Sequence, residues 1–281
     1  MRDERNILRL RYFFITLWAT WRKNRTAILR AVPWSFLFSR IVTGITQILF
    51  PLFLYHYYFQ GHLADSFRQY TGTGDYMTYV VLGASLNTLA VATLMNVGRA
   101  LITELREGTL EPLLLSTMSR TGYFCGCLAE QTTRALLEFA AVVLVGALAG
   151  ADLGRLFLVD TMVVIFLAVF SFFCMGLTLS SVMLAARDTY LTQNTLFNAM
   201  SLICGIMFPI SYLPEWVQQL AAFIPLTPAV TLFRRVVIGG ETLAVNGDLC
   251  IQIFALSGIY LIIGIISYRK MERTLLERVF G

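Results

Sequence analysis

The chain is 281 residues long, 57% of them apolar and only 14% charged, with a mean hydropathy of +0.68. Soluble domains carry roughly a quarter charged residues, so this balance excludes an ordinary soluble domain and points to an all-helical integral membrane protein. The net charge of +5 has to be read by position before it implies any acidic partner.

In chain order, the first residues are charged and show no short basic patch before an apolar core, so no cleavable signal is expected. Residues 6–31 interleave Ile7, Leu8, Leu10, Tyr12, Phe13, Phe14, Leu17, Trp18 and Trp21 with many arginines. That mixture predicts an amphipathic helix lying in the membrane interface. It is either a plain anchor or an elbow that also lines a docking surface. Crossing a bilayer takes about 20 mostly apolar residues, and six segments qualify: 33–58, 76–99, 122–149, 156–185, 191–212 and 249–268. The expected organisation is one membrane domain over 1–281, with residues 1–31 interfacial, 33–268 in six spans and 269–281 a cytosolic tail. The first span ends in Tyr55-His56-Tyr57-Tyr58-Phe59, an aromatic belt. His56 and His62, the only histidines, belong to that interface rather than to a metal site. The five cysteines form no CxxC and read as buried small side chains.

Between the second and third spans, residues 104–120 form a polar, charged interruption. Thr109 is placed to cap a short helix whose first turn carries Glu111 and Pro112. Leu110, Leu113, Leu114 and Thr117 then share a face, which packs either on a separate partner or under the protein's own bundle. In the third span Glu130, Arg134 and Glu138 recur every four residues and share one helix face beside Gln131. They form either an intrahelical ion ladder or a polar part of a pathway. Arg40 is expected to snorkel to the interface. Asn87, Asn96, Gln193, Asn194 and Asn198 are expected to bond between helices. After the fifth span, Pro209, Pro214, Pro225 and Pro228 divide the chain. The pieces from Glu215 to about Ile224, with Trp216 at its start, and from Ala229 to about Ile238 are each too short to span. They are expected to be interfacial or re-entrant, as a lid or as an outer gate formed by Pro209, Pro214, Trp216, Pro225 and Pro228.

Placing both termini in the cytosol puts 16 of the 22 Lys and Arg residues in cytosolic segments, with Arg40 and Arg134 inside spans. Only Arg68, Arg155, Arg234 and Arg235 fall outside. Topology thus explains the basic charge, and nucleic acid is not needed as a partner. No HExxH, GxSxG, Walker A or dinucleotide glycine pattern is present, so the chain is not expected to be an enzyme or to bind a cofactor itself.

The run Leu105-Arg106-Glu107-Gly108-Thr109-Leu110-Glu111-Pro112-Leu113-Leu114 resembles the coupling-helix motif of the ABC-2 type membrane permease family, with Pro112 where a polar residue is more usual. Leu213-Pro214-Glu215-Trp216 followed by Pro225-Leu226-Thr227-Pro228 resembles that family's signature before the last span. The resemblance implies a permease subunit of an ATP-binding cassette exporter in a bacterial inner membrane. It would work as a dimer, most simply a homodimer, with separate ATPase subunits that hold ATP and Mg. Glu107, Gly108, Thr109, Leu110, Glu111, Leu113 and Leu114 would engage the ATPase. The expected substrate is an amphipathic drug-like or lipid-like molecule, with a polysaccharide or lipid-linked glycan as the alternative. An ion-coupled secondary transporter is the rival class, and it would have to use the third-span charges.

Overall fold

The structure, a computed structural model, describes residues 2–31, 35–58, 67, 75–116, 118–186, 195, 198–200, 202–206 and 208–280. Among these residues there are helices and no strand. The elements are α1 (Arg2–Ala31), α2 (Ser35–Phe53), α3 (Tyr76–Arg106), α4 (Leu110–Leu115), α5 (Arg120–Leu148), α6 (Val159–Ala186), α7 (Glu215–Ala222), α8 (Leu226–Val237) and α9 (Gly247–Phe280). A π-helical turn, Leu54–Tyr58, follows α2, and a 3₁₀ turn, Ile210–Tyr212, precedes α7.

Four helical segments among the described residues are long and apolar enough to cross a membrane: Tyr76–Met95, Arg120–Leu148, Val159–Met183 and Gly247–Lys270. A fifth arises if α7 and α8, which meet at a 90° bend, form one broken span. The expected first span is helical, but α2 is only 19 residues long and contains Pro51. Proline removes an N–H and crowds the preceding carbonyl, and the helix widens into the π turn a few residues later. Of the expected fifth span, 191–212, residues 191–194, 196, 197, 201 and 207 lie outside the described residues, Gln193 and Asn194 among them, as do Thr117, His62 and most of the loop over 60–75.

α3 is the hub. It packs along α5 and α6 and touches α2 and α8. Leu82, Leu86, Leu89 and Leu94 on α3 are fully buried against Phe139 of α5, Phe172 of α6 and Phe233 of α8. The outer helices face the other way. Leu137 and Leu144 of α5, Phe166 of α6 and Ile251, Ile262 and Ile266 of α9 are exposed. In water such rows would be a liability, whereas in a bilayer they are the lipid-facing surface. Because lipid is as apolar as leucine, close packing rather than burial from water holds such helices together.

Close packing is most evident between α1 and α5. Gly122 and Gly126 stand one helical turn apart, and a Cβ at either would lie 2.7 Å from a backbone carbonyl of α1, that of Phe13 or of Leu17. Only glycine lets the helices approach this far. Thr16 and Thr20 fill the seam, and Thr16 Oγ1 accepts from Ser119 N at 3.3 Å. Leu10, Tyr12, Phe14, Ile15 and Trp18, on the opposite face of α1, are exposed.

α8 and α9 each depart from expectation at one boundary. α8 begins at Leu226, so Pro228 lies in its first turn rather than breaking it. First-turn N–H groups have no intrahelical acceptor, so a proline there loses no bond. α9 continues through the expected tail to Phe280.

Candidate functional site

The polar interruption is two turns and a short helix at one end of the bundle. α3 ends in a Schellman motif. Gly108 has φ 69°, Gly108 N donates to Leu105 O at 3.3 Å, and Thr109 N donates to Glu104 O at 2.9 Å. A left-handed residue is needed at this position, and glycine adopts it without a Cβ clash. The turn reverses the chain into α4, six residues long.

Thr109 occupies the position before α4 but does not cap it as expected. Its backbone is helical, at φ −96° and ψ −7°, and its side chain makes no cap bond. Its hydroxyl instead donates to the carboxylate of Glu104. The helical backbone does not suit an N-cap, and the charge-assisted O–H···carboxylate bond holds the side chain back against α3. Glu104 is buried and also accepts from Lys23 Nζ of α1. A single carboxylate therefore joins α1, the end of α3 and the approach to α4.

Leu113 is partly buried against the protein's own core near Leu101, Ile102 and Tyr123. Glu107, Gly108, Thr109, Pro112 and Leu115 are exposed, Leu115 by 58%. Leu110, Glu111 and Leu114 lie on α4, but their side chains are outside the described ones.

Within α5, Arg134 pairs with Glu130 through two contacts, 2.8 Å from Nε to Oε1 and 2.9 Å from Nη2 to Oε2. Arg134 also donates to Gln131 Oε1. Glu130 and Glu138 are both buried. The expected interhelical bond from Asn87 is not made by its Oδ1, which is buried without a hydrogen-bond partner.

At the other end of the bundle, the start of α3, the 3₁₀ turn and α8 shape a cavity of about 430 Å³ lined by Tyr79, Pro209, Ser211, Arg234, Arg235 and Glu241. Pro209 and Pro214 precede the 3₁₀ turn and α7, and Pro225 precedes α8. Pro209, Pro225 and Pro228 are buried, whereas Pro214 and Trp216 are exposed. Arg234 is a buried clamp. It donates to Tyr79 O at 2.9 and 3.2 Å, to Gly205 O at 2.6 Å and to Ile206 O at 2.6 Å. Its guanidinium carbon stands 3.4 Å from the centroid of the Tyr79 ring. Nothing in the local sequence separates Arg234 from exposed Arg235. The seam glycines were signalled only by their four-residue spacing, and the Glu104 junction had no signal at all.

Among the described residues no group of His, Cys, Asp or Glu is placed to hold a metal, and all five cysteines are free thiols.

Residues 15–238 match the model of the ABC-2 type transporter family. The chain belongs to that family. It is therefore a multi-pass membrane protein of transporter type. It is 28% identical over 151 residues to Nodulation protein J of Rhizobium leguminosarum bv. viciae, covering 52% of this chain and 58% of that one. It is 28% identical over 169 residues to Nodulation protein J of Sinorhizobium fredii (strain NBRC 101917 / NGR234), covering 58% of this chain and 63% of that one. The similarity thus spans about 58% and 63% of the length of these two relatives.

Proposed function

We propose that the chain is the membrane subunit of an ATP-driven exporter, and that α4 is the coupling helix through which a separate ATPase drives it. One observation carries this reading: α4 is exposed through Pro112 and Leu115 and tied by the Gly108 turn to α3, the most buried helix of the bundle. A push on α4 is thereby delivered to the centre of the membrane domain. α1 is the elbow helix, held to α5 by the glycine seam and to α3 through Lys23–Glu104. In this reading the domain has six spans. α2 with its π turn is the first, and a segment around 191–212 is the fifth. Both termini and α4 face the cytosol, α7 and α8 form the outer gate, and two copies, most simply identical, enclose the pathway. The membrane is a bacterial inner membrane, and ATP and Mg are held by the partner ATPase.

The cargo we propose is an amphipathic, lipid-like molecule, in keeping with a bundle that combines a large apolar core cluster with buried polar side chains such as Glu130, Gln131 and Glu138. A glycan-bearing cargo is the second reading. It is favoured by the hydroxyl-bearing and charged lining of the cavity beside Tyr79, Ser211 and Glu241. Ion-coupled transport is disfavoured because Arg134 is already paired within its own helix. Vesicles containing this chain and its ATPase test the reading: uptake of a fluorescent lipid should require ATP. Uptake driven by a proton or sodium gradient alone would reject it.

A further inference from the structure

At the same end of the bundle as α4, α5, α6 and α9 enclose a groove of about 380 Å³. Its walls are Phe124, Leu177, Leu261 and Tyr268, and Arg120 and Arg269 flank it. The groove is preformed. A Cβ on Gly264 would lie 2.9 Å from Leu177 Cβ and 3.0 Å from Thr178 N, so α9 rests directly on α6 there. Thr178 Oγ1 donates to Tyr260 O at 2.8 Å. Phe124 and Tyr268 meet edge to face with centroids 4.9 Å apart.

Arg120 opens the apolar segment Arg120–Leu148, and Arg269 stands at the end of Gly247–Lys270. Both arginines are exposed and stand where hydrocarbon gives way to headgroups. We infer that this groove binds one anionic glycerophospholipid, its acyl chain along Leu177 and Leu261 and its phosphate between Arg120 and Arg269. A phosphodiester is anionic and offers two non-bridging oxygens as acceptors, to which guanidinium groups donate strong charge-assisted hydrogen bonds. The guanidinium groups would repel the cationic group of a zwitterionic lipid. Basic pockets between spans recognise acidic headgroups on this basis. The site needs only the membrane reading, not the transport mechanism or the orientation of the chain.

Native mass spectrometry of the purified chain in mild detergent tests it, with phosphatidylglycerol and phosphatidylcholine of identical acyl chains competing. The wild type should retain phosphatidylglycerol preferentially. R120Q/R269Q should lose that preference by roughly five- to thirtyfold. R11Q/R22Q, which removes the same charge from exposed positions on α1, should keep it. Leu261→Trp, which fills the groove and leaves both arginines, should reduce bound lipid of either kind. Unchanged preference in R120Q/R269Q, equal loss in R11Q/R22Q, or undiminished binding in Leu261→Trp would each overturn the proposal.

Discussion

Arg234 is the side chain whose loss should destabilise the far end of the bundle most. Replacing it with leucine strands the carbonyl of Ile206 and takes a donor from those of Tyr79 and Gly205, at a cost of about 3 kcal/mol. Arg234→Lys keeps the charge but not the fork that reaches three acceptors, so its melting temperature in detergent should fall between those of wild type and Arg234→Leu. Equal melting of all three proteins would contradict the clamp. Gly108 makes a second test. Its φ of 69° predicts that Gly108→Ala loses about 1 kcal/mol, while Gly108→Asn, which tolerates the left-handed region, loses less. Thermal unfolding followed by intrinsic fluorescence ranks the three. At this scale the sequence is only partly legible. The reversal around Gly108 is visible in it, but the burial of Glu104 is not, because its partner Lys23 lies 81 residues away.

The α1–α5 seam belongs to the scale of elements. Gly126→Leu should drive α1 off α5, since a side chain there meets Leu17 O and Thr20. Trypsin should then cut α1 faster at its arginines, whereas Phe14→Ala, on the exposed face, should leave the rate unchanged. Equal cleavage of the Gly126→Leu protein and wild type would contradict the seam. Spans bounded by charge are legible from hydropathy: 122–149 was expected, and Arg120–Leu148 is observed. α9 shows the opposite case. Its last stretch, Arg269 to Phe280, carries Arg, Lys and Glu among Leu and Met. These are good helix formers, but too polar to register as membrane, so a hydropathy reading ends the element early.

For the whole molecule, composition fixes the class, because an apolar fraction of 57% leaves few alternatives to a membrane bundle. The distribution of Lys and Arg sets the proposed orientation. A fluorescent-protein fusion after Phe280 should therefore glow in the cytosol, and an alkaline phosphatase fusion there should be inactive; active phosphatase would contradict it. What the sequence cannot supply is the lever. That the helix preceding α4 is the hub follows from three-dimensional packing, as do the inward position of Leu113 and the exposure of Leu115.

The most direct measurement of coupling at α4 is purification of the tagged chain from membranes of its own host, comparing wild type with Leu115→Asp. The substitution is at an exposed position and should leave the fold intact, as checked by gel filtration. An ATPase subunit should accompany the wild type in stoichiometric amount and be largely lost from Leu115→Asp. Recovery of a folded wild-type chain without any ATPase would contradict the ATP-driven reading. An ATPase retained equally by both proteins would contradict α4 as the place where it docks.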